Sequence, residues 1–262
     1  MPESSSRPLP LFYRKPQPLV PVIHDNVRLT EGDYAFAAGT NAVPVAIIEF
    51  AQAMRFYPIV FAEGGNFPVA VLGLSAGNRF VSDGRWSDRH YVPAYARRYP
   101  FVFVDAGEQG FALAIDVMSE RVVQGGDTGT PLFEDGKPTP LTESALAFCR
   151  EFHTAHLQTQ AFVAALVEHD LLIEQQADAK LASGEPRRLA GFRVIDREKF
   201  GKLDDAVILD WHRKGWLALV LFHFASLDRF ADLLGMEGVA TAPAEPDAAA
   251  APSAPEPAEA DA

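Results

Sequence analysis

Between residues 27 and 135, apolar residues occur in short runs that Gly, Pro, Asn or Asp interrupts, and this punctuation most constrains the fold. Short runs rich in Val, Ile and Phe are typical of β-strands. They leave no room for long helices between successive strands, which disfavours a doubly wound parallel sheet. The predicted strands are residues 43–50, 58–62, 68–74, 79–81, 101–104 and 111–115.

Turn residues connect neighbouring members of this series. A Gly-Gly-Asn sequence at 64–66 and a Ser-Asp-Gly sequence at 82–84 predict β-hairpins. Residues 51–57 and 93–99 each predict one or two helical turns. The first half of the chain is therefore predicted to be mainly antiparallel β-structure.

Residues 139–170 have a helical pattern. Thr139 suits the N-cap and Pro140 suits the first helical position. Apolar positions then recur at spacings of three and four, which predicts one buried stripe along a long amphipathic helix. The stripe consists of Ala145, Phe148, Phe152, Ala155, Thr159, Phe162 and Leu166.

The last third of the folded chain changes from strand-like to helical sequence. A small β region is predicted for residues 171–195, and Asp204 or Asp205 can cap the helical segment that follows. The apolar run 216–225 predicts a helix deep in the core, and Gly235 is the predicted end of the segment. The fold class is α+β, with a mainly antiparallel β N-terminal half packed with a long amphipathic helix and a buried C-terminal helical segment.

Composition divides the chain into three parts. Residues 1–12 predict a flexible Pro-rich arm, and the prolines up to position 21 predict that residues 1–21 form no regular element. Residues 13–235 predict a single domain. Residues 236–262 predict a disordered tail, because this Ala- and Pro-rich segment cannot bury enough apolar surface to offset chain entropy.

Charge disfavours two classes of partner. The chain has a net charge of −12, which repels both nucleic-acid phosphate and anionic lipid. The tail from residue 239 onward carries five carboxylates and no Lys or Arg, so −5 belongs to the tail and −7 to the rest. The remaining candidates are a protein partner of unknown identity and a small-molecule ligand.

The sequence predicts no membrane span and no secretory signal. The longest apolar stretch, residues 216–225, is half as long as the roughly 20 residues that a spanning helix needs. Prolines interrupt the N-terminus, and Cys149 is the only cysteine, so no internal disulfide requires an oxidising compartment. We expect a cytoplasmic protein, with the cell surface, reached by a leaderless export route, as the alternative.

A Gly-Leu-Ser-Ala-Gly sequence at 73–77 matches the nucleophile elbow of α/β-hydrolases. The elbow requires a helix directly after the motif, because the helix N-terminus faces the serine oxygen. Residues 78–86 instead predict a strand and a turn. We therefore interpret Ser75 as part of a glycine-flanked turn.

No histidine belongs to a convincing metal or catalytic set. His153 and His156 lie three residues apart on the predicted helix but have no accompanying third ligand, so we interpret them as surface residues. His223 and His212 lie in or beside apolar sequence and predict hydrogen-bonded core residues. No phosphate-binding glycine motif is present. The sequence predicts no catalytic residue, no metal site and no cofactor.

The block at 91–101, YVPAYARRYPF, concentrates side chains that recognise ligands. Arginine binds carboxylate or phosphate, and aromatic faces bind sugars or aromatic groups. The alternative interpretation is structural, with the arginines paired to internal carboxylates such as Glu49 or Asp116. The candidate ligand-binding residues are Trp86, Tyr91, Tyr95, Arg97, Arg98 and Tyr99.

Several motifs, taken in order, resemble the SapC family of bacterial proteins over about residues 13–234. The resemblance is to the family named after a surface-layer gene cluster, and not to the multi-span peptide-transporter permease of the same name. The motifs are NAVPVAIIEF at 41–50, YPIVF at 57–61, PVAVLGL at 68–74, YVPAYARRYPF at 91–101, LF-DG at 132–136 and the stretch 215–227.

The resemblance implies a role but no particular reaction. Members of the family accompany outer-membrane receptors and flavin-dependent halogenase-like proteins, which implies a link to uptake or modification. We therefore expect a non-enzymatic accessory or binding protein linked to surface-layer, uptake or modification systems. The alternative is an enzyme or sensor that binds a small anion, sugar or amino acid through the Arg/Tyr/Trp cluster.

Overall fold

The computed structural model describes residues 9–64, 66–107, 110–180 and 186–236, and it has the predicted α+β class. The strands are β1 (Pro16–Pro18), β2 (Val27–Leu29), β3 (Ala42–Pro44), β4 (Ile59–Ala62), β5 (Pro68–Val71), β6 (Val81–Ser82), β7 (Arg85–Trp86), β8 (Phe101–Asp105), β9 (Phe111–Asp116), β10 (Val122–Gln124), β11 (Thr130–Pro131), β12 (Phe133–Glu134), β13 (Lys137–Pro138), β14 (Leu172–Lys180) and β15 (Pro186–Ile195). The α-helices are α1 (Pro21–His24), α2 (Phe50–Ala53), α3 (Ala94–Arg97), α4 (Pro140–Glu168), α5 (Arg197–Phe200), α6 (Asp205–Arg213), α7 (Trp216–Ser226) and α8 (Arg229–Met236).

Every strand pair in the described residues is antiparallel, as the short runs predict. The largest sheet has the order β14-β15-β4-β5-β3, and a second sheet has the order β1-β9-β8. The predicted hairpins join β4 to β5 and β6 to β7, although Gly65 lies outside the described residues. The predicted β region 171–195 is the β14–β15 hairpin, whose connection includes Gly184, also outside the described residues.

The strand predicted for residues 43–50 is wrong in its second half. β3 ends at Pro44, a 3₁₀ turn covers Ile47–Glu49, and α2 follows directly. The carboxylate of Glu49 accepts a hydrogen bond from the backbone N–H of Ala46 at 2.8 Å, which closes the turn. This local capping contact competes with strand pairing, and the alternation of apolar residues cannot reveal it.

The prediction that residues 1–21 form no element is wrong for β1 and α1. β1 pairs with β9 at the edge of the second sheet, with Gln17 opposite Ile115. Its neighbours Pro16 and Pro18 lack an N–H, which an edge strand tolerates on its outer side. Residues 1–8 of the predicted arm and residues 237–262 of the predicted tail lie outside the described residues, so the domain limits stay predictions.

The long amphipathic helix is confirmed as α4. Its predicted stripe faces the core, and Thr159 and Phe162 are fully buried. Thr139 occupies the N-cap position, but its hydroxyl donates to the carbonyl oxygen of Pro131 at 2.8 Å instead of capping the helix. The side chain therefore attaches the start of α4 to β11.

The C-terminal helical segment is only partly buried, so the prediction of a helix deep in the core is wrong for one face of α7. Val220 and His223 are fully buried, whereas the side chain of Leu221 is 58% exposed. The helix packs against α2, α6, β4 and β15, which leaves one face exposed. Its uniformly apolar sequence does not distinguish the two faces. The segment also ends at Met236, one residue after the predicted Gly235.

Candidate functional site

The Gly-Leu-Ser-Ala-Gly motif forms a bend without a following helix, which confirms the turn interpretation. A Cβ atom at Gly73 would lie 2.4 Å from the carbonyl oxygen of Gly77, so only glycine fits this tight turn. The hydroxyl of Ser75 accepts a hydrogen bond from the Arg79 guanidinium at 3.3 Å. The geometry is not that of a nucleophile elbow.

The histidines pack against other side chains. The His153 ring lies 4.4 Å from the Phe111 ring, and His156 stacks on Phe67 at 4.8 Å. No group of three potential metal ligands occurs in the part of the chain that the structure describes. His223 is a hydrogen-bonded core residue, as predicted, whereas the same prediction for His212 is wrong because that side chain is exposed on α6.

Trp86 and Tyr91, two of the predicted site residues, belong to one hydrogen-bonded chain. The indole Nε1 of Trp86 donates to the Tyr57 hydroxyl at 3.0 Å, and that hydroxyl donates to the Tyr91 carbonyl oxygen at 2.6 Å. The Tyr91 hydroxyl donates to the Glu49 carboxylate at 2.9 Å. Trp86 is buried. This series of hydrogen bonds fixes the segment that precedes α3.

Glu49 is a buried carboxylate at the end of this chain. Its Oε1 also accepts from the backbone N–H of Ala94 at 2.7 Å, which attaches the start of α3 to the 3₁₀ turn. Burial raises the pKa of the Glu49 carboxyl above its ordinary value, although these hydrogen bonds oppose the shift. Burial likewise raises the pKa of Tyr91 to about 12.

Arg97 contacts this group from the exposed side. Its Nη2 donates to the Tyr91 hydroxyl at 3.1 Å, and its Nε donates to the Val92 carbonyl oxygen at 3.0 Å. The guanidinium carbon lies 5.3 Å from the centre of the Phe148 ring on α4. Arg97 is therefore connected to Glu49 by hydrogen bonds through Tyr91 and forms no ion pair with it in the described residues.

Arg98 is held by aromatic rings. Its guanidinium carbon lies 4.2 Å from the Tyr95 ring centre and 4.4 Å from the Phe152 ring centre. Its Nε is buried and has no hydrogen-bond partner within the described residues. The Tyr95 hydroxyl donates to the Leu11 carbonyl oxygen at 3.3 Å, which ties the N-terminal segment to α3.

Tyr99 follows α3 in sequence, and its hydroxyl donates to the buried carboxylate of Asp116 at 3.2 Å. The same carboxylate accepts from the backbone N–H groups of Arg14, Lys15 and Met118 at 2.8–3.2 Å. The structural interpretation of the 91–101 block predicted that its arginines pair with Glu49 or Asp116. The two carboxylates do bind this region, but their partners are not the arginine side chains. Both bind tyrosine hydroxyls and backbone N–H groups of this region.

Tyr99 is the predicted site residue that lines a cavity of about 350 Å³, which we name the Tyr99 cavity. One wall is aromatic: the Phe36 and Tyr99 ring centres lie 4.3 Å apart, and those of Phe12 and Phe36 lie 5.0 Å apart. The cavity is lined by Phe12, Arg14, Asp33, Ala35, Phe36, Tyr99, Ser119, Glu120 and Arg121.

Two arginines bring positive charge to the Tyr99 cavity. Arg121 donates from Nη1 to the Tyr99 carbonyl oxygen at 3.1 Å and from Nε to the Thr30 carbonyl oxygen at 3.4 Å. Arg14 donates from Nη2 to the Met118 carbonyl oxygen. Neither arginine forms an ion pair with a carboxylate of the described residues. Burial lowers the pKa of Arg121, because the charged form loses solvation.

The sequence missed Phe12, Arg14, Phe36 and Arg121 as cavity residues. The sequence offers a signal for Phe12 and Arg14, because the Phe-Tyr-Arg sequence at 12–14 places large side chains in an otherwise Pro-rich segment. Phe12 has a φ of 78°, outside the range that most residues adopt, and its ring packs against Phe36. Arg121 has no such signal, because only the tertiary fold brings it to Tyr99.

The fold and the cavity define an antiparallel α+β protein with an arginine- and aromatic-lined cavity beside the second sheet. The chain belongs to the SapC family, whose model matches residues 19–233. No curated protein and no solved structure matches it. Tyr99 and Arg121 lie inside the matched range, whereas Phe12 and Arg14 precede it. None of the helices in the described ranges is long and apolar enough to cross a membrane.

Proposed function

We propose that this SapC-family chain is a non-enzymatic binding protein for a small molecule that carries an anionic group and an apolar part. It would act as an accessory to a surface-layer, uptake or modification system. One observation carries the proposal: Arg14 and Arg121, which form no ion pair in the described residues, line a cavity with an aromatic wall. The link to those systems rests on family membership.

The chemistry of the Tyr99 cavity supports binding. Guanidinium groups bind carboxylate or phosphate through charge-assisted hydrogen bonds, and aromatic walls bury an attached apolar group. Ligand cavities in proteins span about 300–1,000 Å³, and the Tyr99 cavity falls within that range. The arginines are held by backbone carbonyl oxygens, so little ordering is needed when a ligand binds.

Two other concave surfaces support this proposal less well. One, of about 580 Å³, lies at β14–β15 and has no Arg or Lys in its lining. The other, of about 460 Å³, lies between α4 and α6, where Lys214 is already paired with Asp210 at 2.7 Å. Of these three surfaces, the Tyr99 cavity therefore offers the best site for an anionic group.

The ligand-binding role of the other five candidates, Trp86, Tyr91, Tyr95, Arg97 and Arg98, stays a prediction. The contacts of Arg97 with Tyr91 and of Arg98 with Tyr95, and the hydrogen bond of Trp86 to Tyr57, support a role for these residues in positioning α3, which ends two residues before Tyr99. Including Arg97→Ala in the binding assay below tests a direct role, because Arg97 is exposed and its replacement spares the core.

Isothermal titration with 3-phenylpropanoate tests the proposal. We expect saturable binding to the full chain, weakened about tenfold in Arg14→Gln, because one charge-assisted hydrogen bond is lost. Arg89→Gln is the matched control, since Arg89 is exposed and lies outside the Tyr99 cavity. Equal binding of 3-phenylpropanoate by Arg14→Gln and by the unmodified protein would overturn the proposal, and so would failure of the unmodified protein to bind either 3-phenylpropanoate or L-phenylalanine.

The compartment is a separate proposal and needs its own measurement. We propose a cytoplasmic location, with the cell surface as the alternative. Cell fractionation followed by immunoblotting distinguishes the two, because a protein at the cell surface would be recovered with the envelope fraction. Recovery in the envelope fraction alone would exclude the cytoplasmic location.

A further inference from the structure

We infer that the ligand of the Tyr99 cavity is a free α-amino acid with an apolar or aromatic side chain, an inference that rests on the proposed function. The lining contains two carboxylates, Asp33 and Glu120, as well as the two guanidinium groups of Arg14 and Arg121. The formal charges of these four side chains sum to zero. A zwitterion matches this pattern better than a simple anion does, because each of its charged groups finds an opposite charge.

Asp33 is held in a fixed orientation at the cavity. Its Oδ1 accepts a hydrogen bond from the backbone N–H of Ala35 at 2.9 Å. Its Oδ2 lies against Gly84, where a Cβ atom would come within 2.2 Å of it. The backbone N–H of Tyr34 also donates to the Gly84 carbonyl oxygen at 2.7 Å, so the β6–β7 turn supports this loop.

The same loop packs against Arg121. A Cβ atom at Gly32 would lie 2.3 Å from Cδ of Arg121, so the absence of a side chain there lets the arginine stem pass. Arg121 and Asp33 are thereby positioned by one short segment, yet they form no ion pair. Two opposite charges that are not paired with each other suit a ligand that carries both charges.

Glu120 supplies the second carboxylate from the segment between β9 and β10. Its side chain is exposed and forms no ion pair with the described residues. An ammonium group placed between Asp33 and Glu120 gains two charge-assisted acceptors. The carboxylate of the ligand then faces Arg14 and Arg121, and its side chain faces the aromatic wall.

The aromatic wall favours an apolar side chain on the amino acid. Phe12, Phe36 and Tyr99 form a continuous group of rings with centres 4.3–6.4 Å apart. Such rings gain free energy by covering apolar surface, and pairs of aromatic rings gain more through edge-to-face contact. Glycine, which has no side chain, would lose this contribution.

Four related probes test the inference by isothermal titration: L-phenylalanine, 3-phenylpropanoate, phenethylamine and glycine. Phenylalanine is expected to bind about tenfold more tightly than each of the other three, because each lacks one charged group or the ring. Glu120→Gln is expected to weaken the binding of phenylalanine without weakening the binding of 3-phenylpropanoate. Glu151→Gln, an exposed substitution on α4 outside the cavity, is the matched control.

The outcomes separate the inference from the proposed function. Binding of 3-phenylpropanoate as tight as that of phenylalanine overturns the inference and leaves the proposed function standing. A second variant, Asp33→Asn, removes the other carboxylate charge. If both Glu120→Gln and Asp33→Asn bind phenylalanine as tightly as the unmodified protein does, the inference is overturned as well. Failure of both carboxylate-bearing phenyl compounds to bind overturns both.

Discussion

The imidazole Nδ1 of His223 donates a hydrogen bond to the carbonyl oxygen of Ile59, 2.9 Å away in the fully buried core. The tautomer follows from the other ring nitrogen, because Nε2 accepts from the backbone N–H of Ile195 at 3.1 Å. The pairing of β15 with β4 places Arg193 opposite Phe61, and the same register would place Ile195 opposite Ile59. His223 therefore bridges the two strands where their direct pairing stops.

Protonation of His223 is expected to destabilise the fold. Burial lowers its pKa to about 4, from an ordinary value of 6.5. The unfolded chain therefore binds a proton at a higher pH than the folded chain does. Stability from this group is complete above pH ~6.5 and is lost as the pH falls toward ~4. We expect a loss of about 2 kcal/mol between pH ~7 and ~5, measured by urea unfolding.

His223→Leu is the control for this pH dependence. The leucine leaves the N–H of Ile195 and the carbonyl of Ile59 unpaired, which should cost about 2–5 kcal/mol near neutral pH. Because leucine does not titrate, the difference from the unmodified protein should shrink as the pH falls. A difference that stays constant would show that His223 is already protonated or never titrates in this range.

Asp116→Asn is expected to loosen the N-terminal segment. The carboxylate accepts backbone hydrogen bonds from Arg14 and Lys15, and an amide would turn its NH₂ toward one of these donors. We expect a loss of about 2–3 kcal/mol in the free energy of unfolding. Hydrogen exchange should show faster exchange at both amides, and the exposed substitution Asp88→Asn should show none of this.

Arg98→Lys is expected to lower stability although it keeps the positive charge. The planar guanidinium lies over the Tyr95 and Phe152 rings, whereas an ammonium is a strongly hydrated point charge that stacks poorly. We expect a loss of about 1–2 kcal/mol by chemical denaturation. Arg89→Lys, on an exposed loop, is the matched control. Equal stability of the two variants would mean that the ring contacts contribute nothing.

Ser75 is not expected to act as a nucleophile, because no helix N-terminus follows its bend. A fluorophosphonate probe should leave the folded protein unlabelled. Ser75→Ala should change the free energy of unfolding by less than about 1 kcal/mol, since the residue is only half-buried. Labelling that disappears in Ser75→Ala would contradict this prediction and restore the hydrolase interpretation.

Cys149 is expected to react slowly in the folded protein. Its side chain is buried in α4, and burial raises the pKa of the thiol to about 11, so little thiolate is present near neutral pH. A thiol-specific chromogenic disulfide should react only on unfolding in urea. Since Cys149 is the only cysteine, the signal belongs to it alone. Rapid reaction without denaturant would contradict the burial.

Much of the fold could be predicted because apolar periodicity and turn residues act locally. The stripe of α4, the β4–β5 hairpin and the β14–β15 hairpin follow from residues close in sequence. The same reasoning failed for α7, whose apolar residues surround the helix and do not show which face is covered. It also failed at Glu49, where a side-chain contact closes a turn that the apolar pattern predicted as strand.

The sequence by itself determined the antiparallel α+β class, the long helix and the concentration of arginine and tyrosine before β8. Only the tertiary structure decided which of those side chains line a cavity. Arg14 and Asp116 are 102 residues apart, and Arg121 is 22 residues from the Tyr99 carbonyl oxygen to which it donates. Such contacts depend on how packed elements are oriented in space. Local periodicity predicts which face of a helix or strand is apolar, but it does not predict which element packs against that face.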